Sequence, residues 1–187
     1  MREYTSDIAF TDTVKNIQQE KGSRSIYANM EQRGSWEYTA NSFLKDFIAE
    51  RDSFYMATVN SEGYPYIQHR GGARGFLKII DERTLSFADF RGNRQYLSYG
   101  NLTDNNKISL FLMDYPNRVR VKVWGTAEVI ESNQETIEKY SLSTETKNIE
   151  HIFLIHIEAW DRNCPKFITP RFTEDEIIKH NLNSKPG

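Results

Sequence analysis

The chain has 187 residues, 38% hydrophobic, 27% charged and 13% aromatic, a balance that predicts one folded domain and excludes a disordered chain. Its net charge of −2 is uneven: residues 70–122 carry ten Lys/Arg against five Asp/Glu, residues 1–69 seven against ten. A basic island in an acidic chain points to a local anionic ligand, a phosphate being the simplest, and argues against nucleic acid as a partner.

The first fifty residues read as a helical extension. Thr11 caps a helix through Val14 and Ile17 to Gly22, and Ser23 or Ser25 starts a second that ends at Gly34. Asn41 precedes Phe43, Leu44, Phe47 and Ile48, one apolar helical face. The period then changes to that of strands. Phe54–Val59 and Tyr64–Arg70 form a hairpin around Asn60–Gly63, and Phe76–Ile80 and Thr84–Phe90 form another around Asp81–Arg83. Gln95–Leu102 reads as a short helix. Strands follow at Lys107–Asp114 and Val119–Ile130, joined by Tyr115-Pro-Asn117, with Gly125 marking a bulge or bend. Asn133–Leu142 reads as a helix, Ile152–Ile157 as the last strand and Glu174–His180 as a terminal helix. The expected fold is mainly β within an α+β class: antiparallel strands over residues 53–160 whose sheet can close its edges as a barrel, a helical extension over 1–50, and a tail over 161–187, all in one domain.

Cys164 is the single cysteine, so no disulfide forms within the chain and a reducing compartment suits it. Residues 1–10 have no apolar core of a signal peptide, and no stretch approaches the roughly 20 apolar residues that span a bilayer. A cytoplasmic location away from membranes is the expectation. Four scattered histidines and one cysteine give no metal spacing, and no nucleophile elbow, P-loop or dinucleotide fingerprint occurs.

Four segments could carry chemistry. Gln68-His69-Arg70-Gly71-Gly72 ends a strand in two glycines, where a planar ligand could approach the backbone; it is equally a strand running into a solvated loop. Ala88-Asp89-Phe90-Arg91-Gly92-Asn93-Arg94-Gln95 joins a strand to a helix start, where arginines and free N–H groups suit a phosphate; the alternative is a polar turn with Gly92 at positive φ. Arg118, Arg120 and Lys122 share a strand face that calls for an anion opposite or for solvent. Trp160–Phe167 contains Cys164 beside Lys166, a reactive thiol or a small packing residue.

Three stretches, Gly63–Arg70 (GYPYIQHR), Thr84–Gln95 (TLSFADFRGNRQ) and Val119–Glu128 (VRVKVWGTAE), come in an order and spacing that resembles the FMN-binding split barrel of the pyridoxamine 5′-phosphate oxidase superfamily. The whole chain is most similar to a predicted flavin-nucleotide-binding branch, in which HRGG, RGNRQ and a late NCPK segment recur. The resemblance implies FMN as cofactor, a homodimer with the flavin at its interface, and small-molecule electron donors and acceptors. It places Gln68, His69, Arg70, Gly71 and Gly72 along the isoalloxazine ring and Ala88 and Asp89 beside the ribityl chain or phosphate. Asn93, Arg94 and Gln95 match the phosphate clamp, Gln95 standing for a lysine; Arg120 stands where a flavin-contacting glutamine is usual, and Trp160 where a tryptophan reaches FMN across the dimer. Arg70 and Arg120 are the candidate cations for the flavin's N1–C2 edge. The substrate-binding lysine of true oxidases is replaced by Ala73, and their late arginine-leucine-histidine motif is absent. The implied function is therefore an FMN-dependent oxidoreductase other than a pyridoxamine phosphate oxidase, with no catalytic acid or base assigned. The alternatives are a non-catalytic flavin carrier or redox sensor, or, within this superfamily, a deazaflavin or haem binder.

Overall fold

In the computed structural model, which describes residues 2–34, 36–141, 147–162 and 165–183, local capping sets the N-terminal helices. Thr11 Oγ1 accepts the Val14 N–H at 3.3 Å and starts α1 (Asp12–Glu20). Asn41 Oδ1 accepts the Leu44 N–H at 3.1 Å and starts α3 (Ser42–Ala49). Between them α2 (Arg24–Gln32) begins without a side-chain cap. A 3-10 turn at Thr5–Ile8 precedes α1, too short for periodicity to announce.

The remaining elements are β1 (Ser53–Val59), β2 (Pro65–Gly71), β3 (Lys78–Ile79), β4 (Thr84–Phe90), α4 (Leu97–Asp104), β5 (Lys107–Asp114), β6 (Val119–Glu131), α5 (Gln134–Tyr140), β7 (Ile149–Arg162) and α6 (Glu174–Asn183). The strands form one antiparallel sheet in the order β2-β1-β5-β6-β7-β4-β3. Consecutive strands β2 and β3 thus stand at opposite edges, joined only by residues 72–77. Such a link spans at most about 25 Å, whereas seven flat strands would hold their outer members roughly 29 Å apart. The sheet must curl until its edges approach. They do not pair, so the barrel stays split, as the family resemblance implied and not closed as the hairpins alone allowed.

Inside the curl, Phe54, Met56, Leu85, Phe87, Leu110, Leu112, Val121, Val123, Phe153 and Ile155 form the core, with Leu44, Phe47 and Ile48 of α3 closing one end. Phe54 stacks on Phe76 at 5.4 Å and meets Phe87 edge-on at 5.3 Å, so aromatic rings bridge the two sheet edges.

Several boundaries differ from expectation. β7 runs from Ile149 to Arg162, longer than the apolar stretch 152–157 and past the expected barrel limit at residue 160. Polar residues hide its ends, and its pairing slips twice, leaving Glu150 and Glu158 as bulged residues. β3 shrinks to two residues because Phe76 and Leu77 turn into the core from the link. α4 starts at Leu97 rather than Gln95 because Arg94 (φ 62°) and Tyr96 (φ 52°) take left-handed backbone. The Gly125 bulge is real, and a Cβ there would overlap the His156 carbonyl oxygen. The helix expected over Asn133–Leu142 covers Gln134–Tyr140, Leu142 lying outside the described residues.

The N-terminal extension is anchored on the far end of the sheet. Trp36 stacks on Trp124 of β6 at 4.7 Å, and the Trp160 N–H donates to the Glu37 carbonyl at 2.8 Å. Among the described residues no helix is long and apolar enough to cross a membrane.

Candidate functional site

Strand alternation decides which predicted residues can meet. In β2, Gln68 and Arg70 pair with Met56 and Phe54 of β1 and share their inward face; His69 pairs with Tyr55 on the outer face. In β4, Asp89 lies on the same inward face as buried Phe87, while Ala88 lies on the other, the face toward α5. The inward residues meet where the sheet edges fail to close. The resulting cleft is lined by Tyr66, Gln68 and Arg70 of β2, Asp89 and Phe90 of β4, the turn Gly92–Tyr96, the first turn of α4, and Glu150 and Phe153 of β7. Its cavity volume is about 110 Å³.

Arg70 spans the split. Its Nη1 hydrogen-bonds the Asp89 carboxylate, and its guanidinium lies 5.4 and 5.0 Å from the Phe87 and Phe153 ring centres. Its Nε is buried without an acceptor among the described residues, a donor left over in the cleft wall. Burial pushes the Asp89 carboxyl above its usual range, against the pull of Arg70. Arg70, a candidate cation for the flavin edge, is thus paired with Asp89 here.

Ser98 Oγ donates to Gln68 Oε1 at 2.8 Å, tying α4 to β2. In the turn before α4, Gln95 N–H donates to Asn93 Oδ1 at 3.3 Å. The left-handed residues there are Arg94 and Tyr96; Gly92, the expected one, is not among them. Each costs of order 1 kcal/mol in a non-glycine residue. Arg94 Nε donates to the Tyr96 hydroxyl at 3.2 Å, which donates to Glu150 Oε1 at 3.0 Å. Its two terminal nitrogens have no partner among the described residues.

The structure therefore gathers Gln68, Arg70, Asp89, Asn93, Arg94 and Gln95 and disperses the other predicted residues. His69 stands on the outer face, its ring 5.5 Å from Tyr55. Gly71 and Gly72 are absent from the cleft wall; a Cβ on Gly72 would meet Phe76 Cγ at 2.8 Å, so the glycine serves packing rather than ligand approach. Arg120 shares the outer face of β6 with Lys122 and Trp124, where Lys122 lies 5.2 Å from the Trp124 ring centre and opposite Asp161. Trp160 is 5% exposed, stacks on Phe43 at 6.0 Å and donates its Nε1–H to the Thr39 carbonyl at 2.8 Å. It is a core residue sealed by the N-terminal segment, with no surface for a ligand. Asn163 and Cys164 lie outside the described residues.

The sequence reading missed Tyr66, Tyr96, Ser98, Tyr99 and Glu150. Ser98 and Tyr99 lay within the predicted helix, and their proximity to the arginine turn was the available signal. Glu150 faces the cleft because the β4–β7 register slips beside it, which no spacing shows. A larger hollow of about 350 Å³ lies near α6, but Arg51 and Arg74 in its wall are bound to Asp114 and Glu50. Among the described residues no cluster of three or more His, Cys, Asp or Glu could hold a metal.

The pyridoxamine 5′-phosphate oxidase family model matches residues 41–164. Among solved structures, a proposed pyridoxamine 5′-phosphate oxidase from Lactobacillus delbrueckii is 22% identical with a TM-score of 0.54, over 67% of this chain and 95% of that one. HupZ of Group A Streptococcus is 18% identical with a TM-score of 0.52, over 71% and 98%. An FMN-binding protein from Syntrophomonas wolfei is 15% identical with a TM-score of 0.49, over 78% and 97%. At these identities the likeness is one of fold. No curated protein sequence matches. A family match across more than half the chain, on a sheet curled into a split barrel, places this protein in the pyridoxamine 5′-phosphate oxidase family.

Proposed function

We propose that the cleft binds FMN and that the protein is an FMN-dependent oxidoreductase. The observation that carries this reading is Arg94: its terminal guanidinium edge is unpartnered among the described residues at the start of α4, inside the cleft. Guanidinium edges and helix-start N–H groups are donors matched to a terminal phosphate. Gln95 adds an amide. Bound FMN would supply the two-electron chemistry; the chain's own residues bind, orient and shield it.

A cavity of about 110 Å³ is below the roughly 300 Å³ at which pockets enclose a drug-sized molecule. It suits the phosphate and ribityl end, leaving the ring at the mouth. A second copy covering the mouth would supply the missing wall, and Arg120, on the opposite sheet face, could reach a flavin only from that copy. Light scattering of the flavin-bound protein should then give about twice 21.9 kDa. With Ala73 in place of a lysine, pyridoxamine phosphate is not the expected substrate. A cytoplasmic setting fits the lone Cys164. Reduction of the bound flavin by NADH or NADPH separates an enzyme from a carrier or sensor.

The direct test is Arg94→Ala. It removes a charge-assisted contact of about 1.5–3 kcal/mol, ten- to a hundredfold in FMN affinity. Riboflavin, which lacks the phosphate, should bind as before. Equal weakening of both ligands in a fluorescence titration, or no change, would reject the reading.

A further inference from the structure

Arg94 is held by a chain of two hydrogen bonds. Its Nε donates to the Tyr96 hydroxyl at 3.2 Å, and that hydroxyl donates its one proton to Glu150 Oε1 at 3.0 Å. A tyrosine hydroxyl has a single hydrogen. Committing it to Glu150 leaves only the oxygen's lone pairs toward Arg94, which fixes the direction of the relay. The architecture spends effort on this arrangement. Arg94 and Tyr96 both adopt left-handed backbone, at φ 62° and 52°. Glu150 is a bulged residue of β7, carried to the cleft by the slip between Asp89–His151 and Phe90–Ile149. With Nε engaged, the guanidinium cannot rotate freely, and its two terminal nitrogens form the edge left for a ligand.

We propose that Tyr96 and Glu150 are positioning residues that aim Arg94 at a phosphomonoester, so that affinity for the phosphate depends on a carboxylate on a different strand. The inference rests on the reading of the cleft as an FMN site. A flexible arginine on a surface turn loses side-chain freedom when it binds; one already tethered loses less, so the tether appears as affinity for the phosphate alone.

The test is a double-mutant cycle on the full chain, read by titration with FMN and with riboflavin. Tyr96→Phe keeps the ring and removes both hydrogen bonds; FMN should bind about fivefold more weakly, a fraction of the loss expected for Arg94→Ala, with riboflavin unchanged. In an Arg94→Ala background Tyr96→Phe should add nothing, because nothing remains to be aimed. Glu150 needs a control for its charge, which by itself opposes a phosphate. Glu150→Gln removes the charge and keeps an acceptor; Glu150→Ala removes both, and should bind FMN about fivefold more weakly than Glu150→Gln. Losses that multiply between Arg94→Ala and Tyr96→Phe, riboflavin weakening alongside FMN, or equal affinities for the two Glu150 variants would each overturn the relay while leaving the FMN site intact. A wild-type protein that binds FMN no better than riboflavin would overturn both.

Discussion

Arg70 and Asp89 close a barrel that the backbone leaves open, and removing one partner shows what that closure contributes. Their side chains are 11% and 19% exposed, and the two residues stand on β2 at one edge of the curled sheet and on β4 beside the other edge. Asp89→Ala leaves a guanidinium between Phe87 and Phe153 whose Nε already lacks an acceptor. Breaking a buried pair this way costs about 3–5 kcal/mol. The residual exposure and the two flanking rings favour the lower end, about 3 kcal/mol. For a chain of this length that lowers Tm by about 6–12 °C. Replacing both partners with apolar groups, Arg70→Met with Asp89→Leu, removes charge and desolvation cost together and should restore most of the loss. Urea and thermal unfolding of the two single variants, the double variant and the wild type give the coupling energy directly. An Asp89→Ala variant within about 0.5 kcal/mol of wild type, a surface-mutation value, would refute a structural role for the pair. A double variant as unstable as the sum of the singles would do the same.

Other consequences follow from single residues. Gly125→Ala forces a Cβ onto the backbone of β7, 3.0 Å from the His156 carbonyl carbon; we expect a loss of about 3 kcal/mol or more, seen as poor soluble yield or a sharply lowered Tm, and an unaltered Tm would contradict the bulge. Trp160→Phe keeps the contact with Phe43 but strands the Thr39 carbonyl, costing about 1–3 kcal/mol; limited proteolysis should then cut first between residues 30 and 41, and unchanged resistance would argue against the clasp. Burial raises the carboxyl of Asp161, with Lys122 pulling the other way. The folded chain therefore holds a proton that the unfolded chain releases, and stability falls as pH rises from the ordinary carboxylate pKa through the raised one. Asp161→Asn should flatten that fall in urea midpoints taken from roughly pH 4 to pH 7; parallel curves for variant and wild type would exclude it.

The fold was legible wherever one local rule settled the matter. Thr11 and Asn41 announced their helices because a cap needs only its own first turn. Alternation along residues 119–123 announced β6, and Gly125 its bulge. The turn before α4 was legible as well, since arginine, glycine and a helix start coincide within a few residues. What the sequence could not show is which sheet face becomes the inside. Arg120 and Gln68 both read as strand residues near a ligand; only the curl of the sheet puts Gln68 in the cleft and Arg120 outside. Trp160 looked like a ligand contact because an aromatic late in the chain does not reveal that residues 37–39 come back to cover it. The pairing of Arg70 was hidden because its partner is nineteen positions away on another strand.

That returning segment also sets an order of events for a chain emerging from the ribosome. Arg2 reaches Glu158 across 156 positions and Thr39 meets Trp160 across 121. The N-terminal helical segment, made before the sheet, is therefore among the last parts to find its seat, because β6 and β7 must exist before Trp36 has Trp124 to lie on. Until then Phe10, Tyr27 of α2 and Trp36 are rings that pack on one another but have no sheet beneath them. Long loop closures of this kind slow folding and lengthen the time that sticky surface is on view. The price of the extension is a nascent chain that, for most of its synthesis, depends on its own small helical cluster or on a chaperone to stay out of aggregates.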